Sequence, residues 1–256
     1  YINNLPNIIT GGIKMRKIPF FRGVLLTSLI LGLGTTALAE TKLYQGLGQT
    51  SNFRVGPGKD NKGTPVYSFN YVTAAGVFDE SGRVVNLEVD VLEVGTPNAK
   101  GKTMPRFSGW PGTSGYNLVD TETGKVVGQA DNSEEFLTKE IEGWKTKRER
   151  GNTYGMNPKM DWDKQMDFFE NYFKGKTIPE IEEWFAKNTS DLNGRVLKAK
   201  ATKDEDKAKY EKLSEAEKKE LADVVAGATM SIKDAHGDIL GAIKKAYNNR
   251  VEFIVK

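Results

Sequence analysis

Near the C-terminal end of the sequence, Asp223, Ala226, Gly227, Ala228, Thr229, Met230 and Ser231 bring one carboxylate, three small residues and two hydroxyls into one short run. A hydroxyl beside small residues suits phosphate chemistry, because little side chain stands between an anion and the backbone. Upstream, Ser214-Glu215-Ala216-Glu217 has the pattern of a capping box, and Ser231-Ile232-Lys233-Asp234 repeats it. From Ile232, apolar or amphipathic residues recur at His236, Ile239, Leu240, Ile243 and Tyr247 with a helical period. The run is therefore expected just before a helix N-terminus. There the amides of Gly227, Ala228, Met230 and Ser231 and the helix dipole would cradle a phosphate beside the Thr229 hydroxyl. A tight turn between two helices fits the same residues.

The pattern Asp223-x-x-Ala226-Gly227-Ala228-Thr229 closely resembles the flavinylation motif of FMN-binding domain proteins, with Ala226 where Ser is more usual. That family includes flavin-bearing subunits of ion-translocating redox complexes and exported proteins of extracellular electron transfer. The resemblance implies FMN joined through its phosphate to Thr229 by a flavin transferase, with Asp223 supporting recognition by that enzyme. The plainer role for Asp223 is to cap or bend the end of its helix.

Other chemistries are poorly served. The absence of cysteine excludes disulfides, cysteine-ligated clusters, thiol catalysis and lipid attachment through an N-terminal Cys. The single histidine, His236, rules out a His-rich metal site and reads as a residue of an apolar helix face. No Gly-x-Ser-x-Gly pattern supports acyl transfer, and Arg54 to Gly63 lacks the Gly-Lys-Ser/Thr of a phosphate loop. Neither a metal site nor a catalytic side chain is expected.

Residues 15–39 read as an export signal. Met15, Arg16, Lys17 and Arg22 form the basic start, Gly23 to Leu33 the apolar stretch, and Ala37-Leu38-Ala39 the cleavage site. Residues 1–14 read as an over-extended reading frame. The chain of 256 residues carries +3 formally; without Lys14, Arg16, Lys17 and Arg22 the mature part carries −1. The basicity thus belongs to the signal, and nothing global points to nucleic acid.

Leu43 to Pro65, rich in glycine, is expected as an irregular lead-in. Val66 to Phe78 and Arg83 to Glu93 read as a hairpin turning at Asp79-Glu80-Ser81-Gly82. In its second strand Val85, Leu87, Val89 and Val91 alternate with polar residues. Pro105 to Asn117 is a Gly- and Pro-rich loop carrying Trp110 and Tyr116. Its rings either anchor it in the core or face the flavin ring. Short strands flank a turn at Thr121-Glu122-Thr123-Gly124. From 132 to 188 the pattern is helical: a stretch from Ser133 to Gly151, a helix capped by Asp161 with Trp162, Met166, Phe169 and Phe173 on one face, and another opening at Thr177. The ring stripes read as core. Arg195 to Ala201 is expected as a short strand, Lys198 to Lys219 as a solvated helical face, and Arg250 to Lys256 as a last strand.

The expected fold is α+β: a twisted, mainly antiparallel sheet with packed helices and an inserted helical segment at about 132–188, all one FMN-binding domain over 40–256. The implied function is an exported, periplasmic or extracellular electron carrier. It takes electrons from a membrane redox donor and gives them to an extracytoplasmic acceptor. An exported flavin-dependent reductase and a flavin-free binding module are the alternatives.

Overall fold

The computed structural model of the chain describes residues 41–59, 65–97, 104–120, 123, 125–156, 159–234 and 237–255. The export signal, residues 1–14, His236 and most of the 121–124 turn lie outside them. The sheet is built on β1 (Thr41–Lys59), β2 (Pro65–Phe78), β3 (Val84–Gly95) and β8 (Val251–Val255), in the order β3-β2-β1-β8 and antiparallel throughout. A second pair, β4 (Asn117–Asp120) and β5 (Lys125–Gln129), forms the small hairpin. The fold is α+β, with seven helices among the described residues.

Alternation decides which face of the sheet is covered. In β2, Val72, Ala74 and Phe78 are buried while Tyr67, Phe69 and Tyr71 are exposed. The covered face packs on α3 (Trp162–Phe173), α4 (Ile178–Asn188), α6 (Glu215–Gly227) and α7 (Ile239–Asn248), and their apolar residues form one cluster with Val84, Leu87, Val89 and Val91 of β3. The ring stripe of α3 is core: Met166, Phe169 and Phe173 are fully buried. Each such side chain contributes about 1.5–3 kcal/mol relative to exposure. The helical block from 132 to 188 therefore shares the core of the sheet.

The glycine-rich lead-in is a strand rather than an irregular segment. Its glycines admit a helix at close range: a Cβ on Gly46 would stand 1.9 Å from the Ala246 carbonyl oxygen, and one on Gly48 2.0 Å from that of Ala242. Helix α7 thus lies against β1 where any side chain would push it off. Further along β1, Thr50 donates to the Asp238 carbonyl at 2.7 Å and Asn52 accepts from the Asp238 amide at 3.1 Å, which fixes where α7 begins.

β3 is an edge strand, and its outward groups are taken by side chains. Val89 donates its amide to Glu170 Oε1 at 2.7 Å and its carbonyl accepts from Arg148 Nε at 2.6 Å. An edge satisfied in this way offers less to another strand. Arg148 lies in α2 (Lys147–Arg150), which follows α1 (Glu134–Glu142); Gly143 breaks the single stretch expected from Ser133 to Gly151. Likewise α5 (Asp204–Glu211) and α6 divide at the Ser214 capping box. The 195–201 segment is no strand; it holds one bridge, Val196 to Thr189.

Candidate functional site

Thr229 follows a helix instead of preceding one. Helix α6 ends at Gly227, Ala228 is extended at φ −156°, and α7 begins only at Ile239, capped by Asp238. Between them Ser231 accepts from the Lys233 amide at 3.2 Å, and β6 (Lys233–Asp234) pairs with β7 (Gly237–Asp238) in a small hairpin. The expected capping box at Ser231 is therefore a local turn, and the expected helix-dipole cradle is absent. Gly237, at φ +146°, adopts a backbone open to few other residues and breaks the helical path.

The amides of the run are also occupied. Ala228 donates to the Val224 carbonyl at 2.7 Å. Thr229 and Met230 both donate to Gln165 Oε1, at 2.8 and 3.0 Å, and the Thr229 hydroxyl lies 3.5 Å from the same oxygen. The glycine has a packing reason: a Cβ on Gly227 would sit 2.2 Å from the ring of Phe168. Ala228 and Met230 are buried, and Asp223 is exposed on α6.

What the run does possess is a cavity. Thr229, Met230 and Ser231 line a hollow of about 370 Å³ with Trp162, Tyr154, Met156, Gln165, Lys147, Arg195 and Lys198. Besides α2, which carries Lys147, three elements bring these together. On α3, Trp162 and Gln165 are one turn apart, and Asp161 caps the helix. The Asp161 carboxylate also accepts from the Gly155 and Met156 amides at 2.9 and 3.0 Å, which ties the 155–156 backbone to the start of α3. Burial pushes the Asp161 carboxyl up, but the amides of Gly155, Trp162 and Met156 outweigh it and hold the group below the usual carboxylate range. In the third element Val196 and Leu197 are buried, and Leu197 donates to the Asn188 carbonyl at 3.0 Å. Arg195 and Lys198 flank that anchored pair.

The charges differ in kind. Lys147 is 3% exposed, 3.2 Å from Glu93 Oε2, and lies 5.4 and 5.8 Å from the ring centres of Tyr154 and Trp162. Arg54 approaches the same Glu93 at 3.6 Å. Arg195 and Lys198 are exposed and have no ion-pair partner among the described residues. The cavity therefore joins the hydroxyls of Thr229 and Ser231, two solvated cations, one buried cation and an apolar wall of two rings and two thioethers. That donor set fits an anionic phosphate attached to a flat aromatic body, the chemistry of FMN.

Trp110 and Tyr116 do not line this cavity. They are 64% and 46% exposed and pack edge-on against Phe107. Polar bonds anchor their loop: Ser108 donates its amide and hydroxyl to Glu140 at 3.0 and 2.7 Å, and Asn132 donates to the Trp110 and Thr113 carbonyls at 2.6 and 3.0 Å. Core anchoring by Trp110 is overturned by its exposure. The aromatic wall beside Thr229 comes instead from the helical block. Gln165 carried a sequence signal: a polar residue on the apolar stripe between Trp162 and Met166. Tyr154, Arg195 and Lys198 carried none.

No family model and no solved structure matches the chain. The chain is similar to a chlorophenol reductase of Desulfitobacterium hafniense, 38% identical over 223 residues, which cover 84% of this chain and 61% of that protein. It thus spans less than two thirds of that relative's length.

Proposed function

We propose that this chain is an exported redox protein, and specifically an electron carrier bearing FMN through a phosphoester to Thr229. The observation that carries the reading is the cavity at Thr229, where a hydroxyl, two solvated cations and two rings converge. Similarity to a protein named for reduction supports the coarser redox role. FMN held there would supply one- and two-electron exchange. The chain's own part is to bind and shield. Arg195 and Lys198 offset phosphate charge, Lys147 adds a fixed cation, and Trp162 and Tyr154 give an apolar surface that excludes water. Asp223, exposed on α6, is available to a flavin transferase. The donor would be a membrane redox system and the acceptor an extracytoplasmic one.

Intact-mass analysis after co-expression with a flavin transferase tests this. The expected result is a gain of one FMN less one water that survives denaturation and is absent in Thr229→Ala. A wild-type chain that gains nothing beside an active transferase refutes the tether and favours a flavin-free binding module.

The relative's name favours a second reading, a flavin-dependent reductase. Steady turnover of a chlorinated phenol by the flavin-loaded chain with a dithionite-reduced dye would support it. Reduction of the flavin without turnover would leave the carrier.

A further inference from the structure

We propose that Gln165 is the positioning residue of the Thr229 site, presenting the hydroxyl for phosphoryl attachment without touching the incoming group; this rests on the reading of Thr229 as the flavin acceptor. The need arises where α6 stops. Past Ala228 the backbone is extended, so the amides of Thr229 and Met230 have no helical acceptor. A buried amide without a partner costs about 1–3 kcal/mol. One atom, Gln165 Oε1, takes both at 2.8 and 3.0 Å.

The carboxamide is held in turn. Gln165 is 2% exposed, and its Nε2 donates to the Met160 carbonyl at 2.9 Å. The opposite orientation would set an NH2 against two N–H donors and leave Met160 facing an oxygen. Only one arrangement satisfies all three backbone groups. One turn further along α3, Phe168 lies against Gly227 in the space a Cβ would need. Residues 165 and 168 therefore grip the run on both sides of Ala228, itself 1% exposed. Thr229 lines the cavity, and its hydroxyl Oγ1 lies 3.5 Å from the same Gln165 oxygen, a long contact that ties it to the carboxamide. With the amides spent on Gln165, incoming negative charge falls to Arg195, Lys198 and Lys147.

The step served is a phosphoryl exchange with no change of oxidation state. Thr229 Oγ1 forms a bond to the flavin-side phosphorus of a flavin dinucleotide. The bond from that phosphorus to the bridging oxygen breaks, and a nucleoside monophosphate departs with the electron pair. The threonine proton passes to a base of the transferase or to water. An oxygen fixed in place gains from orientation, and misplacement by about 1 Å costs roughly a hundredfold.

The test uses the mature chain, a flavin transferase and flavin adenine dinucleotide, with labelling followed by intact mass. Gln165→Met keeps length and apolar bulk but has no strong acceptor. It should label roughly ten- to a hundredfold more slowly in kcat, with KM for the dinucleotide unchanged. Gln165→Glu keeps the acceptor and, with its buried carboxyl protonated, also a donor for the Met160 carbonyl, so at the acid end of the transferase's working range it should recover to within about threefold of wild type, a rescue that packing alone does not predict. Amide exchange at Thr229 and Met230 in the flavin-free chain should be fast in Gln165→Met and protected in Gln165→Glu. If Gln165→Met does not fold, Gln165→Asn, too short to reach both amides, takes its place with the same expectation. Wild-type labelling by a variant whose two amides have lost protection overturns the proposal, and so does a Gln165→Glu chain as slow as Gln165→Met. A wild-type chain never labelled by an active transferase removes the flavin reading, and with it this role. Slow labelling of Gln165→Met beside a labelled wild type keeps both.

Discussion

Gly227→Ala separates two reasons for a glycine in the run. If glycine served only to let a phosphate approach the backbone, alanine would disturb loading and leave folding alone. The structure gives another reason: the new Cβ would lie 2.2 Å from both Cδ2 and Cε2 of Phe168 and 2.7 Å from Cγ. Ordinary carbon contact is about 3.5 Å, so the ring or the helix end must yield by more than an ångström. These atoms form the flank of the ring, and Phe168 is itself packed on Phe169 and Tyr172, so rotation alone does not clear the way. Overpacking of this sort costs about 1–3 kcal/mol. Against it stands the helix preference for alanine, up to about 1 kcal/mol and less at a helix end. The net expectation is a loss of about 1–2 kcal/mol, or about 2–8 °C in Tm for a chain of this size. Urea unfolding gives the free energy and a thermal melt by circular dichroism the midpoint. The double-mutant cycle with Phe168→Leu carries the decision, since a smaller side chain frees the space. In that background Gly227→Ala should become neutral or stabilising. An equal loss with and without the ring would refute the packing argument and return the glycine to the ligand.

Four further expectations follow from the same geometry. Gly48→Ala should cost about 3 kcal/mol or more by urea unfolding, since its Cβ would meet the Ala242 carbonyl of α7 at 2.0 Å, and backbone cannot rotate away. Lys147→Met should cost about 2–4 kcal/mol, less than a fully orphaned buried charge because Arg54 remains beside Glu93; Lys147→Met with Glu93→Gln should recover most of it. Arg195→Ala and Lys198→Ala should leave the unfolding free energy within about 0.5 kcal/mol of wild type, both being exposed, while slowing flavin loading in a salt-dependent way. Burial pushes Glu170 from 4.5 up to about 7 against the pull of Arg148 and the Val89 amide. The folded chain then binds more protons than the unfolded one between those values, so stability falls as pH rises from about 4.5 to 7 and is level above. The fall is at most about 3 kcal/mol at about 1.4 kcal/mol per pH unit, and Glu170→Gln should flatten it in urea titrations across that range.

What the sequence revealed and what it concealed divide by the range of the forces involved. The α3 face and the Thr177 and Ser214 capping boxes were legible because a helix is specified by neighbours three and four residues apart. The alternation of β3 was legible at period two from Leu87 to Val91 but not at its start, where the ladder to β2 shifts register and Val84 is buried while Val85, expected on the covered face, is exposed. Strand β1 was not, because its glycines answer to α7, nearly two hundred residues away, and locally resemble a loop. The Thr229 run was misplaced by a coincidence of period. Ile232 and Ile239 are both buried, seven residues apart as on a helix, yet Ile232 reaches the core from a turn and only Ile239 from α7. Gly237-Asp238 before Ile239 was the competing signal, a positive-φ residue and an N-cap, and it marks the true helix start.

The site was legible in its hydroxyl and not in its surroundings. Thr229 stands out by its neighbours in the chain, whereas Gln165 reaches it across 64 positions. That separation reassigns the helical block. Read alone, 132–188 is an inserted helical segment whose ring stripes pack as core. In the fold, the turn before α3 supplies Tyr154, and α3 itself supplies Trp162, the acceptor for two amides of the run and the surface that requires Gly227. Helix dipole and free amides, the forces a local reading supplies, are replaced by side chains from this block and by two cations flanking a buried Val-Leu pair. A run able to recruit such a shell needs only to place Thr229 at the cavity wall. The local run can therefore be short while the residues that surround it come from much of the chain.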